Sequence, residues 1–444
     1  MLRKSQLRAG RHLASDARAV TVAHHRERTN MNKPDHFLWG VSTAGHQTDG
    51  GDAAADTTFL EHVEPTVFKE PAGDACRSWE RWEDDLNCVA EMGLNAYRFS
   101  VEWCRIEQEE GVIDQAALDH YDRLMDGCLA RGIQPVLTLC HFTCPHWFAK
   151  RGGWLAPDAV DLFAAHVRRV MELARGRAAA VVTLNEPNLN QLLANGAMPP
   201  EAFAFQQVVL HAAAAKAGVA HYRAGNVQDI DEFDAMDEAM ARAHRRAVEV
   251  VREVAPGTPV GLSLSVVDDD WATPAGRAIC ERKRELCYGK WVDAIQGDDF
   301  IGVQNYERMV FGDEGLIAPD PTQPINGMGT QVEPGSLAGA VLYIHELTGL
   351  PVVVTEHGIS TEDDHLRCDF IRASLPALAG LVRRGLSVLG YFHWTLMDNF
   401  EWISAFDSRL GLYEVDRRDG TYDRIAKPSA RVYADVVRTL NGRM

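Results

Sequence analysis

Eight short apolar runs, at 37–42, 96–101, 134–140, 180–185, 260–266, 300–304, 352–356 and 387–394, recur along the chain with longer stretches between them. Runs such as Ala179-Ala-Val-Val-Thr-Leu184 and Pro351-Val-Val-Val-Thr355 are apolar on consecutive residues, the pattern of strands buried on both faces. Strands of that kind belong to parallel sheets, and the spacing leaves room for a helix after each one, which predicts a single (β/α)8 TIM barrel of the α/β class. Segments 116–130, 159–174, 236–254 and 336–347 carry apolar residues at helical spacing and fit the outer ring. The two longest steps between strand starts, from 37 to 96 and from 180 to 260, predict loop insertions after strands 1 and 4. An open, doubly wound sheet is the competing architecture, but its glycine-rich phosphate turn is missing after Phe37-Leu-Trp-Gly-Val41.

Length alone, at 444 residues, allows one large barrel or several ordinary domains. No Gly/Ser linker divides the chain, so 31–444 reads as one domain. Residues 1–30 carry Arg3, Lys4, Arg8, Arg11, Arg18, Arg26 and Arg28 against Asp16 and Glu27, without the apolar core of a secretory signal. They read as a disordered basic arm, with Met31 opening the domain; an organelle transit segment is the alternative. The formal charge of -18 repels phosphate backbones and anionic membrane surfaces, which argues against nucleic-acid and membrane partners. Nine cysteines without a CxxC pair suit reduced thiols in a cytoplasmic protein. The stretch Cys140-His-Phe-Thr-Cys144-Pro-His146 invites a zinc reading. Strand alternation turns Cys140 and His141 to opposite faces, however, and no second ligand cluster follows, so neither metal nor cofactor is expected.

Polar and aromatic residues gather where the strands stop. Gln47 follows strand 1, Arg98 lies in strand 2, His141 follows strand 3, Asn185-Glu186 closes strand 4 and Tyr306 follows strand 6. Glu356 ends strand 7, while Trp394 and Asp398-Asn-Phe-Glu-Trp402 follow strand 8. A parallel barrel builds its active site at this C-terminal face. Two carboxylates delivered there, Glu186 and Glu356, suit glycosidic bond cleavage, in which one attacks the anomeric carbon and the other protonates the departing oxygen.

Taken in order, the motifs resemble the family 1 glycoside hydrolases, the β-glucosidase type. The resemblance rests on Phe37-Leu-Trp-Gly-Val-Ser-Thr-Ala-Gly-His-Gln-Thr-Asp-Gly50, Tyr97-Arg-Phe-Ser-Val-Glu-Trp103, Leu139-Cys-His-Phe142, Thr183-Leu-Asn-Glu-Pro187 and Gly302-Val-Gln-Asn-Tyr306. It continues through Thr355-Glu-His-Gly358, Gly390-Tyr-Phe-His-Trp394, Asp398-Asn-Phe-Glu-Trp402 and Lys427-Pro-Ser429, and so spans 37 to about 435. It implies a retaining mechanism with Glu356 as nucleophile and Glu186 as acid/base, their carboxyls about 5–5.5 Å apart. Arg98 and Tyr306 would hydrogen-bond Glu356 and keep it ionised, and Asn185 would meet the sugar 2-hydroxyl. Gln47, His141, Glu401 and Trp402 match residues that grip the remaining hydroxyls, with Trp394 as the apolar platform under the ring. An anionic Glu401 would repel a 6-phosphate, so the implied substrates are neutral β-glycosides, β-glucosides first. A transglycosidase using the same intermediate and a non-catalytic sugar-binding barrel are the alternatives; the latter would be expected to lack one carboxylate.

Three positions depart from the family's pattern. Phe142 stands where tryptophan is common, Gln304 where asparagine is usual, and His357 follows the nucleophile position in place of asparagine. None removes a catalytic group, but Gln304 and His357 border the nucleophile position and are expected to alter its tuning or the entrance. Segments 268–275 and 309–332 have no clear counterpart and are assigned to the leaving-group side.

Overall fold

The computed structural model describes residues 36–196 and 198–441. The expected basic arm 1–30 and the opening at Met31 lie outside those residues. Eight strands form the centre: β1 Leu38–Ser42, β2 Ala96–Ser100, β3 Gln134–Thr138, β4 Ala180–Asn185, β5 Val260–Ser265, β6 Ile301–Asn305, β7 Val352–His357 and β8 Val388–Trp394. They close into a barrel in sequence order, with β8 beside β1, and every neighbouring pair is parallel. All eight predicted strands are present, displaced by no more than two residues at either end.

The barrel bore is filled by Leu38, Ala96, Val136, Ala180, Val182, Phe300, Val353 and Phe392. Gly40 has no side chain because Phe392 occupies its space: a Cβ there would stand 2.6 Å from Phe392 Cδ1 and 2.7 Å from the Ala96 carbonyl oxygen. Strand alternation then places Arg98 two residues above Ala96 and Trp394 two above Phe392, at the C-terminal end of the same bore.

The outer ring comprises α1 Ser78–Glu91, α2 Gln115–Ala130, α3 Ala159–Ala174, α4 Phe233–Val254, α5 Pro274–Arg284, α6 Ser336–Thr348, α7 Asp364–Arg383 and α8 Pro428–Leu440. Their buried faces follow helical spacing, as in α2, where Leu118, Tyr121, Leu124, Met125 and Cys128 are covered. Helix starts are locally encoded. The Asp114 carboxylate accepts from the amides of Ala116 and Ala117 at the head of α2, Asp363 accepts from His365 at α7, and Pro428 opens α8.

Both predicted insertions are found. The segment after β1 contains a helix at Asp56–Glu61, and the segment after β4 contains one at Pro200–Ala217. Leu60, Val63 and Phe68 of the first pack with Val209 and Leu210 of the second and with Phe400, forming an apolar cluster separate from the main core. Buried Asp56 ties three loops together, accepting from the amides of Thr57 (2.8 Å), Cys144 (2.9 Å) and Gly225 (2.8 Å). Segments 268–275 and 309–332 contribute a small three-stranded sheet, Asp268–Trp271, Arg308–Gly312 and Gly315–Leu316, beyond the ends of β5 and β6. The Gly327 amide donates to the Ser360 carbonyl at 2.6 Å, which docks that segment on the loop carrying the chain out of β7.

Candidate active site

Two local irregularities aim the carboxylates. The β6–β7 register slips between Val354 and Glu356, bringing Glu356 opposite Gln304, and the β4–β5 register slips between Val182 and Asn185. Such slips re-aim a side chain at the end of a strand. Glu186 itself sits at φ +43°, in the left-handed region that costs a non-glycine residue free energy, while its amide is fixed by the Ser263 carbonyl at 2.8 Å.

Glu356 is held at both oxygens. Arg98 Nη1 donates to Oε1 at 2.6 Å, Gln304 Nε2 donates to the same oxygen at 2.9 Å, and the Tyr306 hydroxyl donates to Oε2 at 2.6 Å. Gln304 Nε2 also donates to Asn185 Oδ1 at 2.6 Å, and Arg98 Nη2 donates to that same amide oxygen. The residue beside Glu186 is therefore knitted to the residues that grip Glu356. Glu186 is not gripped at both oxygens, for its Oε1 is buried without a hydrogen-bond partner.

Electrostatics follow from these contacts. Burial, then the charge of Glu356, push the Glu186 carboxyl up to about 8, against a hydrogen bond from Ser265 and the charge of Arg98. Arg98 and Tyr306 bond Glu356 as expected, and Gln304 joins them. Burial nevertheless outweighs these donors and leaves Glu356 above the ordinary carboxylate range, higher than the sequence reading supposed. Burial and the neighbouring carboxylates Glu356 and Glu186 raise Tyr306 well above its usual value, so the phenol stays a donor.

An aromatic wall completes the pocket. His141 lies parallel to Trp394, with ring centroids 5.6 Å apart at 10°, and parallel to Trp402 at 6.4 Å and 8°. Phe142, at φ +65°, stands edge-on to Trp402 at 5.4 Å. Trp394 Nε1 donates to Glu401 Oε1 at 3.2 Å. Glu401 departs from the anionic acceptor expected: burial pushes it up to about 8, with the Trp394 hydrogen bond opposing and the charge of Glu356 reinforcing, so it keeps its proton through much of the neutral range. Gln47 is fully buried and gives its Nε2 to the Phe400 carbonyl at 2.8 Å, which leaves Oε1 as its unpartnered atom.

All ten residues singled out from the sequence thus lie at the C-terminal end of the barrel. Arg98, Asn185, Tyr306 and Glu356 form one hydrogen-bonded cluster, and His141, Trp394, Glu401 and Trp402 form the wall. Gln304, expected to border Glu356, lies opposite it in the register and donates to it directly. His357 turns the other way: its Nδ1 meets the Tyr391 hydroxyl at 2.9 Å and its ring stacks on Phe370 of α7, away from the pocket. Among the described residues, no group of three or more His, Cys, Asp or Glu side chains is arranged to hold a metal ion.

With this geometry in place, the relationships of the chain become decisive. The family model for glycosyl hydrolase family 1 matches residues 29–301 and 298–442. The chain belongs to glycosyl hydrolase family 1. A β-glucosidase from an Agrobacterium species is 30% identical, with 90% of this chain and 94% of the relative aligned. β-Glucosidase A of Thermotoga maritima is 28% identical over 92% of this chain and 98% of its own. Among solved structures, the apo structure of β-glucosidase 1317 superposes with a TM-score of 0.87 at 36% identity, covering 92% of this chain and 100% of that one. The protein is therefore a family 1 glycoside hydrolase with a (β/α)8 barrel. No helix among its described residues is long and apolar enough to cross a membrane.

Proposed function

We propose that this family 1 enzyme hydrolyses neutral β-glycosides, β-glucosides foremost, with retention of configuration. One observation carries the reading: Glu356 is gripped at both oxygens by Arg98, Gln304 and Tyr306, while Glu186 is buried, unsupported at Oε1 and raised to about 8. The first environment suits a fixed, charged nucleophile and the second an acid that holds its proton at neutral pH.

In the first half-reaction Glu356 attacks the anomeric carbon as the bond to the aglycone oxygen breaks, and that oxygen takes the proton of Glu186. Ester formation removes the charge on Glu356, which is one of the causes that raise Glu186. The acid is thereby converted to a base of lower pKa, which takes a proton from the incoming water as it attacks the same carbon and frees Glu356. Asn185, its Oδ1 fixed by Arg98 and Gln304, has Nδ2 free to turn from His141 Nε2, at 3.4 Å, toward the sugar 2-hydroxyl. Trp394, Trp402 and His141 offer apolar faces to the pyranose, and Glu401 and the free Oε1 of Gln47 serve its hydroxyls.

The relatives support the glycone class. Besides the β-glucosidases, a bifunctional β-D-glucosidase/β-D-fucosidase of Bifidobacterium breve is 28% identical over 89% of this chain and 96% of its own. All nine cysteines are free and buried, which suits a reducing, cytoplasmic setting, and a human cytosolic β-glucosidase is 26% identical over 92% of this chain. The deciding assay compares nitrophenyl β-glucoside, β-galactoside and β-fucoside. Turnover led by the glucoside with a β-configured first product is expected; no turnover of any of the three, or an inverted product, would falsify the proposal.

A further inference from the structure

His46 begins where the catalytic reading ends. It lies in the short helix Gly45–Thr48 after β1, next to Gln47, and is 1% exposed. Its Nδ1 is 2.6 Å from Asp52 Oδ2 and its Nε2 is 2.9 Å from Glu61 Oε1. Asp52 and Glu61 are buried too, and both come from the insertion that follows β1. A neutral imidazole has one N–H and one lone pair, so it can donate to only one of two facing carboxylates; satisfying both requires the doubly protonated ring. Burial works against that charge, but Asp52 and Glu61 outweigh it and hold His46 well above its ordinary value.

The ring so fixed lies flat against Trp402, with centroids 5.5 Å apart at 12°, and its edge-on contact with Phe400 is 5.7 Å at 78°. Trp402 is in turn parallel to His141, and His141 to Trp394. Four rings from three loops therefore share one orientation, and the first of them is the only one clamped from both sides by carboxylates. An imidazolium over an indole face is an attractive contact that strengthens away from water.

We infer that His46, clamped by Asp52 and Glu61, is a positioning residue that sets the tilt of Trp402 and hence the glycone wall of the pocket. This rests on the glycosidase reading, because the wall has that role only if a sugar occupies it. His46 touches neither Glu186 nor Glu356 by hydrogen bond. Its loss should therefore weaken capture of the sugar more than cleavage of the bond.

The test is steady-state kinetics on nitrophenyl β-glucoside with His46→Gln, Trp402→Phe and the double variant. Glu61→Gln, which keeps the acceptor geometry while withdrawing one charge, runs beside them. For His46→Gln, KM should rise about tenfold while kcat stays within about threefold, and most of that effect should vanish in the Trp402→Phe background because the two act as a unit. Thermal melting establishes that each variant is folded; if His46→Gln is not, the same split and the same cycle are read from Glu61→Gln. An unchanged KM, a fall in kcat alone, or an equal effect in both backgrounds would overturn the inference. Failure of the wild-type enzyme to turn over any glycoside would instead strike the proposed function, so the two failures are told apart.

Discussion

Glu186 and Glu401 are both lifted to about 8, in each case mainly by burial, and that has consequences for rate and for stability. For rate, the proposed mechanism delivers the proton on Glu186 to the aglycone, so kcat/KM should fall as pH climbs through about 8, measured across a buffer series at constant ionic strength. For stability, an ordinary glutamate titrates near ~4.3, so between there and about 8 the folded chain holds a proton on Glu186 that the unfolded chain has released. The wild-type protein therefore loses stability as pH rises through that window. Glu186→Gln should accordingly melt a few degrees above wild type at pH ~8, with the gain fading toward pH ~5; a variant that melts lower at the alkaline end contradicts the burial argument. The same substitution should cut turnover of a poor leaving group by about 10²–10⁴-fold while sparing an activated one, because only the former needs the proton. Gln304→Ala removes a donor shared by Glu356 and Asn185 and should lower kcat/KM by about 10–100-fold, the scale of one hydrogen bond to a charged group.

At the scale of elements, Gly40 links barrel packing to the site above it. Gly40→Ala drives a methyl into Phe392 and the Ala96 carbonyl, and should cost about 1–3 kcal/mol or more in denaturant unfolding, with Arg98 and Trp394 disturbed one layer higher. Near wild-type stability would show that the bore can give way there. The same layer explains what was legible in the sequence. Runs such as 180–185 and 352–356 announced themselves as strands because both faces are covered, and the insertion lengths after β1 and β4 followed from spacing alone. The strand Asp268–Trp271 was not legible, for three aspartates in a row carry no apolar signal, and its pairing with Arg308–Gly312 depends on tertiary context. The register slips that aim Glu356 and Glu186 were equally hidden, since a slip leaves no mark in composition. Ten candidate residues at the barrel mouth could be named from motifs, yet the donor at Gln304 and the clamp around His46 required seeing which loops meet. The proton on Glu401 is illegible in sequence for a related reason: burial is a property of the packed loops around it, and the sequence shows only a carboxylate.

Across the whole molecule, a formal charge of -18 surrounds a pocket in which the Arg98 guanidinium is bound to Glu356 while burial keeps protons on Glu186 and Glu401. A substrate with a phosphate at its 6-position would meet like charge on approach, and the guanidinium it would find in place is already paired with Glu356, so its kcat/KM should lie on the order of 100-fold below that of the neutral glucoside. Parity between the two would remove the electrostatic basis of the substrate assignment. In the proposed mechanism residues 170 positions apart, Glu186 and Glu356, act on one pyranose, with Glu356 as the bonded partner. Its most direct test is to incubate the enzyme with an activated 2-deoxy-2-fluoro-β-glucoside and map the adduct by peptide mass spectrometry. One fluoroglucosyl group per chain is expected on the peptide containing Glu356, and none when Glu356 is replaced by Ala, which has no carboxylate to esterify. Stable labelling of Glu186, of another residue, or of the Glu356→Ala variant would contradict that mechanism.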